Sequence, residues 1–288
     1  MAAAIRRRLV RPSHVLFYMD IQDKRVIARL FQVLRLVIAV LLVIVGGLLI
    51  GIALLWDRWR GVEPFRGRAR QAQAAWSRWM CRLFGLRLEA IGELRESEPC
   101  LVVANHMSWL DIPVIAAFYP VAFLSKSEVR AWPVVGPIAS GLGTLYIERG
   151  GRNAAAAAAE AIRQRLEEGQ SVLLFPEGTT GDGSRLLPFR PRLYQAAIDA
   201  GVAVRPLALS YLTEDGARHP HAPHVEEPLP RHAWRLAGGP PVYARVQLGE
   251  PVRGEGRTEL ARRSREAIEV MLGSATGSDA SELSLDEA

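Results

Sequence analysis

The chain has 288 residues, 49% hydrophobic and 23% charged, which fits one large domain or two small ones and excludes a disordered or fibrous protein. The net charge is +6, and all but two of the 36 cationic residues (Lys24 and Lys126) are arginine, the side chain whose planar fork suits phosphate and carboxylate. Two cysteines, Cys81 and Cys100, exclude a disulfide framework and a cysteine-only zinc site, and make a reducing, cytoplasm-facing site the default.

Positive charge is concentrated early. Arg6, Arg7, Arg8, Arg11, Lys24, Arg25, Arg29 and Arg35 precede an uncharged apolar run at 36–56. A run of about 20 such residues can span a bilayer, and this one begins too late and is too long for a signal peptide. Arg58, Arg60, Arg66, Arg68 and Arg70 follow it, so both flanks are basic and charge does not orient the segment. Gly46 and Gly47 divide the run into halves too short to cross, so a hairpin dipping into one leaflet stands beside a full crossing. Residues 1–70 are thus expected to attach the chain to a membrane. Next, Trp76, Trp79, Met80, Leu83 and Phe84 recur at helical spacing, with Arg70, Arg78, Arg82 and Arg87 mostly on other faces. That pattern predicts an amphipathic helix, lying in a lipid interface or packed on a core.

Beyond residue 100 short apolar runs alternate with helical patterns. Strands are expected at 101–104, 121–124, 145–147, 172–175, 204–210 and 242–248. The clearest helix covers 154–168, with Asn153 as its N-cap and Gly169 just past its end. The alternation predicts an α/β domain over 71–272, with a mostly parallel sheet flanked by helices and preceded by membrane-binding helices. Residues 213–241, rich in Pro, Gly and His, read as a long loop, and the acidic segment 273–288 reads as a disordered tail.

Three stretches carry chemistry. In the first, His106 follows a strand and Asp111 follows five residues later near a helix start. Five residues on a helix separate two side chains by about 140°, so the pair meets only if His106 lies in the turn ahead and Asp111 reaches back. Asp111 would then orient one imidazole nitrogen and leave the other to take a proton; a structural histidine is the plainer alternative. The second stretch, Gly143 to Arg149, ends a strand on an arginine that either binds an anion or pairs with Glu148. In the third, a strand enters Pro176-Glu177-Gly178-Thr179-Thr180 and a loop whose glycines either admit an anion or merely make a tight turn. Arg190 and Arg192 follow and can add cations to the same pocket. His219, His221 and His224 could bind a metal, although loop residues lack the fixed geometry this needs.

Together these stretches resemble the glycerolipid acyltransferase family, best known through 1-acylglycerol-3-phosphate (lysophosphatidate) acyltransferases. Asn105-His106-Met107-Ser108-Trp109-Leu110-Asp111 matches its Asn-His-x-Ser-x-x-Asp block, and Gly143 to Arg149 matches the second block with Tyr146 where Phe is usual. Phe175 to Thr179 matches the third block, Val204 to Leu209 is similar to the fourth, and Lys126, Pro133 and Gly136 sit as in the intervening segment. The resemblance implies a membrane-bound O-acyltransferase at the inner (cytoplasmic) membrane, facing the cytoplasm. His106, held by Asp111, would deprotonate a lysolipid hydroxyl that attacks acyl-CoA or acyl-carrier protein. Arg149, Glu177, Gly178, Thr179 and Arg190 would bind the acceptor. No metal or other cofactor is implied, and nucleic acid is not an expected partner. The acceptor implied is 1-acyl-sn-glycerol-3-phosphate, giving phosphatidic acid, with lyso-ornithine lipid as the alternative or both accepted. The alternative arises because Thr180 stands where lysophosphatidate enzymes usually carry an arginine, with Arg185 or Arg190 able to compensate. A charge-assisted contact of that kind contributes about 1.5–3 kcal/mol. Two rival readings are a hydrolase using Cys100 with His106 and Asp111, and a non-catalytic lipid-binding scaffold.

Overall fold

The computed structural model describes residues 21–62, 67–92, 98–119, 121–148 and 154–277. It begins with a single helix, α1 (Ile21–Trp59), unbroken through Gly46 and Gly47. The hairpin considered for these two glycines is therefore not formed. They serve close packing instead: a Cβ on Gly46 would fall 2.1 Å from the Trp76 indole, and one on Gly47 would fall 2.6 Å from Ile138. One flank of α1 lies along the domain from end to end. Arg35 donates to the Ala237 carbonyl (2.7 Å), Trp76 Nε1–H donates to the Leu42 carbonyl (2.9 Å), and Asp57 accepts from the backbone of Arg68 and Ala69 (3.0 and 2.8 Å). The opposite flank exposes Leu30, Phe31, Leu34, Leu41, Leu48, Ile52, Leu55 and Trp59. An apolar stripe of this length is not stable in water, and α1 associates the protein with a membrane.

α2 (Arg68–Leu83) turns back along α1 and is the amphipathic helix that the sequence pattern predicts. One face of it packs on the core and the other is open. Met80, Cys81 and the following Phe84 enter the core, while Trp79 is 61% exposed with the Arg82 guanidinium over its ring. Arg70 is not on a solvated face. It is buried and donates to the carbonyls of Val121 and Leu142 (3.1 and 2.5 Å), tying α2 to the chain beneath it.

The helix stops at Gly85 (φ +76°), and Arg87 lies on a strand absent from the sequence reading, β1 (Leu86–Ile91). Then come β2 (Cys100–Ala104), α3 (Asp111–Ala116), β3 (Ala122–Lys126), α4 (Val135–Gly141), β4 (Leu145–Ile147), α5 (Ala154–Glu167), β5 (Val172–Leu174), α6 (Gln195–Asp199) and β6 (Ala203–Leu212). The chain ends in α7 (Leu229–Ala237), β7 (Val242–Leu248) and α8 (Arg257–Gly277). The seven strands form one sheet in the order β1-β7-β6-β2-β5-β3-β4, parallel except where β7 runs against β6. The expected α/β class is correct. β2, β5 and the middle of β6 are fully buried, as central parallel strands covered on both faces must be.

Two boundaries differ from expectation. Residues 213–241 are not all loop, because Pro228 and Pro230 start α7 rather than prevent it. The last helix runs on to Gly277, past the tail's expected start at 273; residues 278–288 lie outside the described residues, as do 1–20 and Asn153.

Candidate active site

The carboxyl ends of β2, β5 and β6 meet at one edge of the sheet, the edge on which open α/β folds bind ligands. Asn105 fixes the exit from β2. Its side-chain amide donates to the Leu209 carbonyl (2.9 Å) and accepts the Leu209 N–H (2.8 Å), a two-way clamp onto β6. His106 therefore enters a turn whose start is held. Its backbone N–H donates to Glu177 Oε1 (2.8 Å), its carbonyl accepts from Gly181 (2.8 Å), and its ring stacks on Phe175 at 4.0 Å and 14°.

Asp111 is the first residue of α3 and reaches back as the spacing requires. Its Oδ2 lies 2.7 Å from His106 Nδ1 and also accepts the backbone N–H groups of Met107 (2.8 Å) and Ser108 (3.0 Å). Its Oδ1 accepts from the Tyr211 hydroxyl (2.6 Å). Four donors converge on a carboxylate with no exposed surface, which is what a buried negative charge needs. A carboxylate facing Nδ1 makes that nitrogen the donor, so the basic lone pair sits on Nε2. The His106 side chain keeps 22% exposure while Asp111 keeps none. The imidazole is open to solvent, and the carboxylate that orients it is closed off.

Tyr211 escaped the sequence reading. Burial, with the Asp111 charge beside it, pushes its phenol well above the ordinary range, so it remains a donor throughout the working pH range. Its signal was only alternation along a buried strand, which marks a core position and not a partner 100 residues away.

Glu177 is tied to backbone on both sides. It is buried, and its second oxygen accepts the Leu187 N–H (3.0 Å), so both oxygens brace backbone: the turn at His106 and the loop leading to Arg190. Burial raises its carboxyl, while the two amide donors and His106 oppose that shift. Gly178 has φ +73°, and a Cβ there would meet the Arg190 guanidinium at 3.1 Å, so Arg190 lies directly over this glycine. Thr179, Arg185 and Arg190 are exposed along the same loop. β4 ends at the same sheet edge as β2, but Arg149 lies outside the described residues.

The histidines of the 213–241 segment fasten it rather than converge. His219 Nδ1 accepts the His221 N–H (3.2 Å), His224 Nε2–H donates to the Glu227 carbonyl (2.8 Å), and His232 links Trp109 Nε1–H (2.9 Å) to the Pro223 carbonyl (3.1 Å). Among the described residues no group of three or more His, Cys, Asp or Glu side chains could hold a metal. Cys100 opens β2, against Tyr119 and Ser171, whereas His106 follows the far end. The strand between them, Cys100 to Ala104, alone covers about 13 Å, which removes the cysteine hydrolase.

The acyltransferase family model matches residues 86–210, from β1 into β6. The lyso-ornithine lipid O-acyltransferase of Pseudomonas aeruginosa is 40% identical over 73% of this chain and 81% of its own length. The chain belongs to the acyltransferase family. This acyltransferase is also 37% identical to the 1-acyl-sn-glycerol-3-phosphate acyltransferase of Neisseria meningitidis, over 60% of the chain and 69% of that relative. Its fold is that of the 1-acyl-sn-glycerophosphate acyltransferase PlsC from Thermotoga maritima, with TM-score 0.58, 21% identity, and 87% and 97% of the two chains covered. The matched residues include the His106–Asp111 pair, whose geometry is that of an imidazole oriented by a buried carboxylate.

Proposed function

We propose that this acyltransferase moves a fatty acyl group from acyl-CoA or acyl-carrier protein to the free hydroxyl of a lysolipid, by direct transfer. The observation that carries this reading is the 2.7 Å contact between His106 Nδ1 and the buried Asp111, which leaves Nε2 as the base. Nε2 takes the hydroxyl proton as the oxygen attacks the thioester carbonyl. The tetrahedral intermediate collapses, the carbon–sulfur bond breaks, and the imidazolium returns the proton to the leaving thiolate. Asp111 holds Nδ1–H throughout and stabilises the imidazolium. The step balances with the thioester as its only co-substrate.

Lyso-ornithine lipid is the acceptor we favour, ahead of lysophosphatidate. Two things support it: Thr180 in place of an arginine, and the name of the relative matched over 81% of its length. The domain faces the cytoplasm at the inner membrane, where both acyl donors are made, with α1 lying in the near leaflet. Purified protein in detergent, given a labelled donor and each acceptor in turn, tests the reading. Wild type should acylate lyso-ornithine lipid, and His106→Ala should be slower by about a hundred- to ten-thousandfold. Turnover of lysophosphatidate alone reverses the choice of acceptor, and release of free fatty acid without transfer overturns the reaction.

A further inference from the structure

Two adjoining clefts open where the segment after β6 meets α1. The larger, about 600 Å³, is lined by Gln32 of α1, by Val225 and Glu227, and by Arg231, Trp234 and Arg235 of α7. The smaller, about 360 Å³, shares Val225, Glu227 and Arg235 and continues to Asp182, Arg218 and His219. Val225 and Trp234 of the lining are each about 40% exposed, and Gln32 belongs to the helix that also exposes Leu30 and Phe31. The lining carries both signs of charge. Arg235 pairs with Glu227 at 2.5 Å, and the exposed Arg231 makes no ion pair among the described residues.

Neither of these clefts is lined by His106, but the smaller one is built on the same turns. Gly181, next to Asp182, donates to the His106 carbonyl, and the backbone N–H of His224, next to Val225, donates to the Met107 carbonyl (2.7 Å). Arg218 is anchored there by donating to the Gly183 carbonyl (2.9 Å). Polar capacity is left over at this place, since Arg235 Nε is buried without a hydrogen-bond partner. Charges of both signs, exposed apolar side chains beside them and a membrane-facing helix alongside describe a site for an amphiphile's headgroup.

We propose that the paired clefts are the acceptor's headgroup subsite and that they take a zwitterionic amino-acid headgroup, its carboxylate against Arg231 and Arg235 and its ammonium against Glu227. This rests on the lysolipid reading above and deepens it. An ornithine headgroup carries both charges, and the two arginines with one glutamate match them in sign. A phosphate dianion meets the same arginines but is repelled by Glu227 and, further in, by Asp182.

Steady-state kinetics on both acceptors test the assignment. Arg231→Ala should raise KM for lyso-ornithine lipid about tenfold, the loss of one charge-assisted contact, with kcat and the KM for the acyl donor unchanged. Glu227→Gln should raise KM for lyso-ornithine lipid and lower it for lysophosphatidate. Opposite signs on two acceptors are an outcome that damage to the fold cannot produce. Unchanged KM values, or equal changes on both acceptors, overturn the subsite. If wild type acylates no lyso-ornithine lipid, the acceptor reading fails by itself, and binding decides the clefts separately. Short-chain N-acyl ornithine titrated into His106→Ala should bind, and should bind more weakly when Arg231→Ala is added. Binding that is absent, or indifferent to Arg231, overturns the proposal.

Discussion

Asp111 makes four hydrogen bonds, and only one of them goes to His106. The other three hold the carboxylate still, so the imidazole is oriented by a partner that has no freedom to turn. In Asp111→Asn the amide cannot offer an anion to Nδ1–H, and kcat should fall by about a thousandfold or more while circular dichroism stays that of wild type. Tyr211→Phe is subtler. Without its hydroxyl a buried carboxylate loses one of four donors, so the melting temperature should fall by an amount worth about 1–3 kcal/mol, while kcat should fall far less than in Asp111→Asn. At this scale the pairing of His106 with Asp111 was legible, because a five-residue offset after a strand has one productive geometry. Tyr211 and the bracing task of Glu177 were not, since each depends on which backbone or side-chain group a distant element brings near.

At the junction of α1 and α2, Asp57 in the last turn of one helix caps the first turn of the other. Gly67 is required there, since a Cβ would fall 2.1 Å from the Asp57 carboxylate. Asp57→Ala removes both acceptors from a buried helix start. It should cost about 1–2 kcal/mol, read as a lower melting temperature with little change in KM. The helices and strands whose periodicity is clean were legible: α5, β4 and β7 fall where the pattern puts them, within a residue. β1 was hidden because Leu83, Phe84 and Arg87 continue a helical spacing across Gly85, where the backbone in fact turns. α7 was hidden by composition. Prolines at its start and glycines at its end look like loop residues unless read by position.

The whole molecule joins a lipid-facing helix and a catalytic sheet as one body, because α1 packs along α2, α4 and α7. The exposed stripe of α1 is apolar, so attachment to lipid through it should be mainly apolar too. High salt should therefore leave the protein on membranes, while Leu41→Glu with Leu48→Glu should shift it toward the soluble fraction in a flotation assay. Both leucines lie on the exposed flank, so the variant should keep its fold in detergent. That an apolar helix exists was legible from 36–56. Its path along the domain was not, because composition does not reveal which flank has a partner.

The place of β7 has a consequence in time. Among the described residues β1 pairs only with β7, and β7 also pairs with β6, yet about 150 residues separate β1 from it. At 5–20 residues per second, roughly 8–30 s pass between the emergence of β1 and that of the strand that completes its pairing. Throughout that interval α1 is already out of the ribosome and able to enter a bilayer, while half of the sheet has an open side. The apolar helix can thus reach a bilayer before the sheet it packs beside can close.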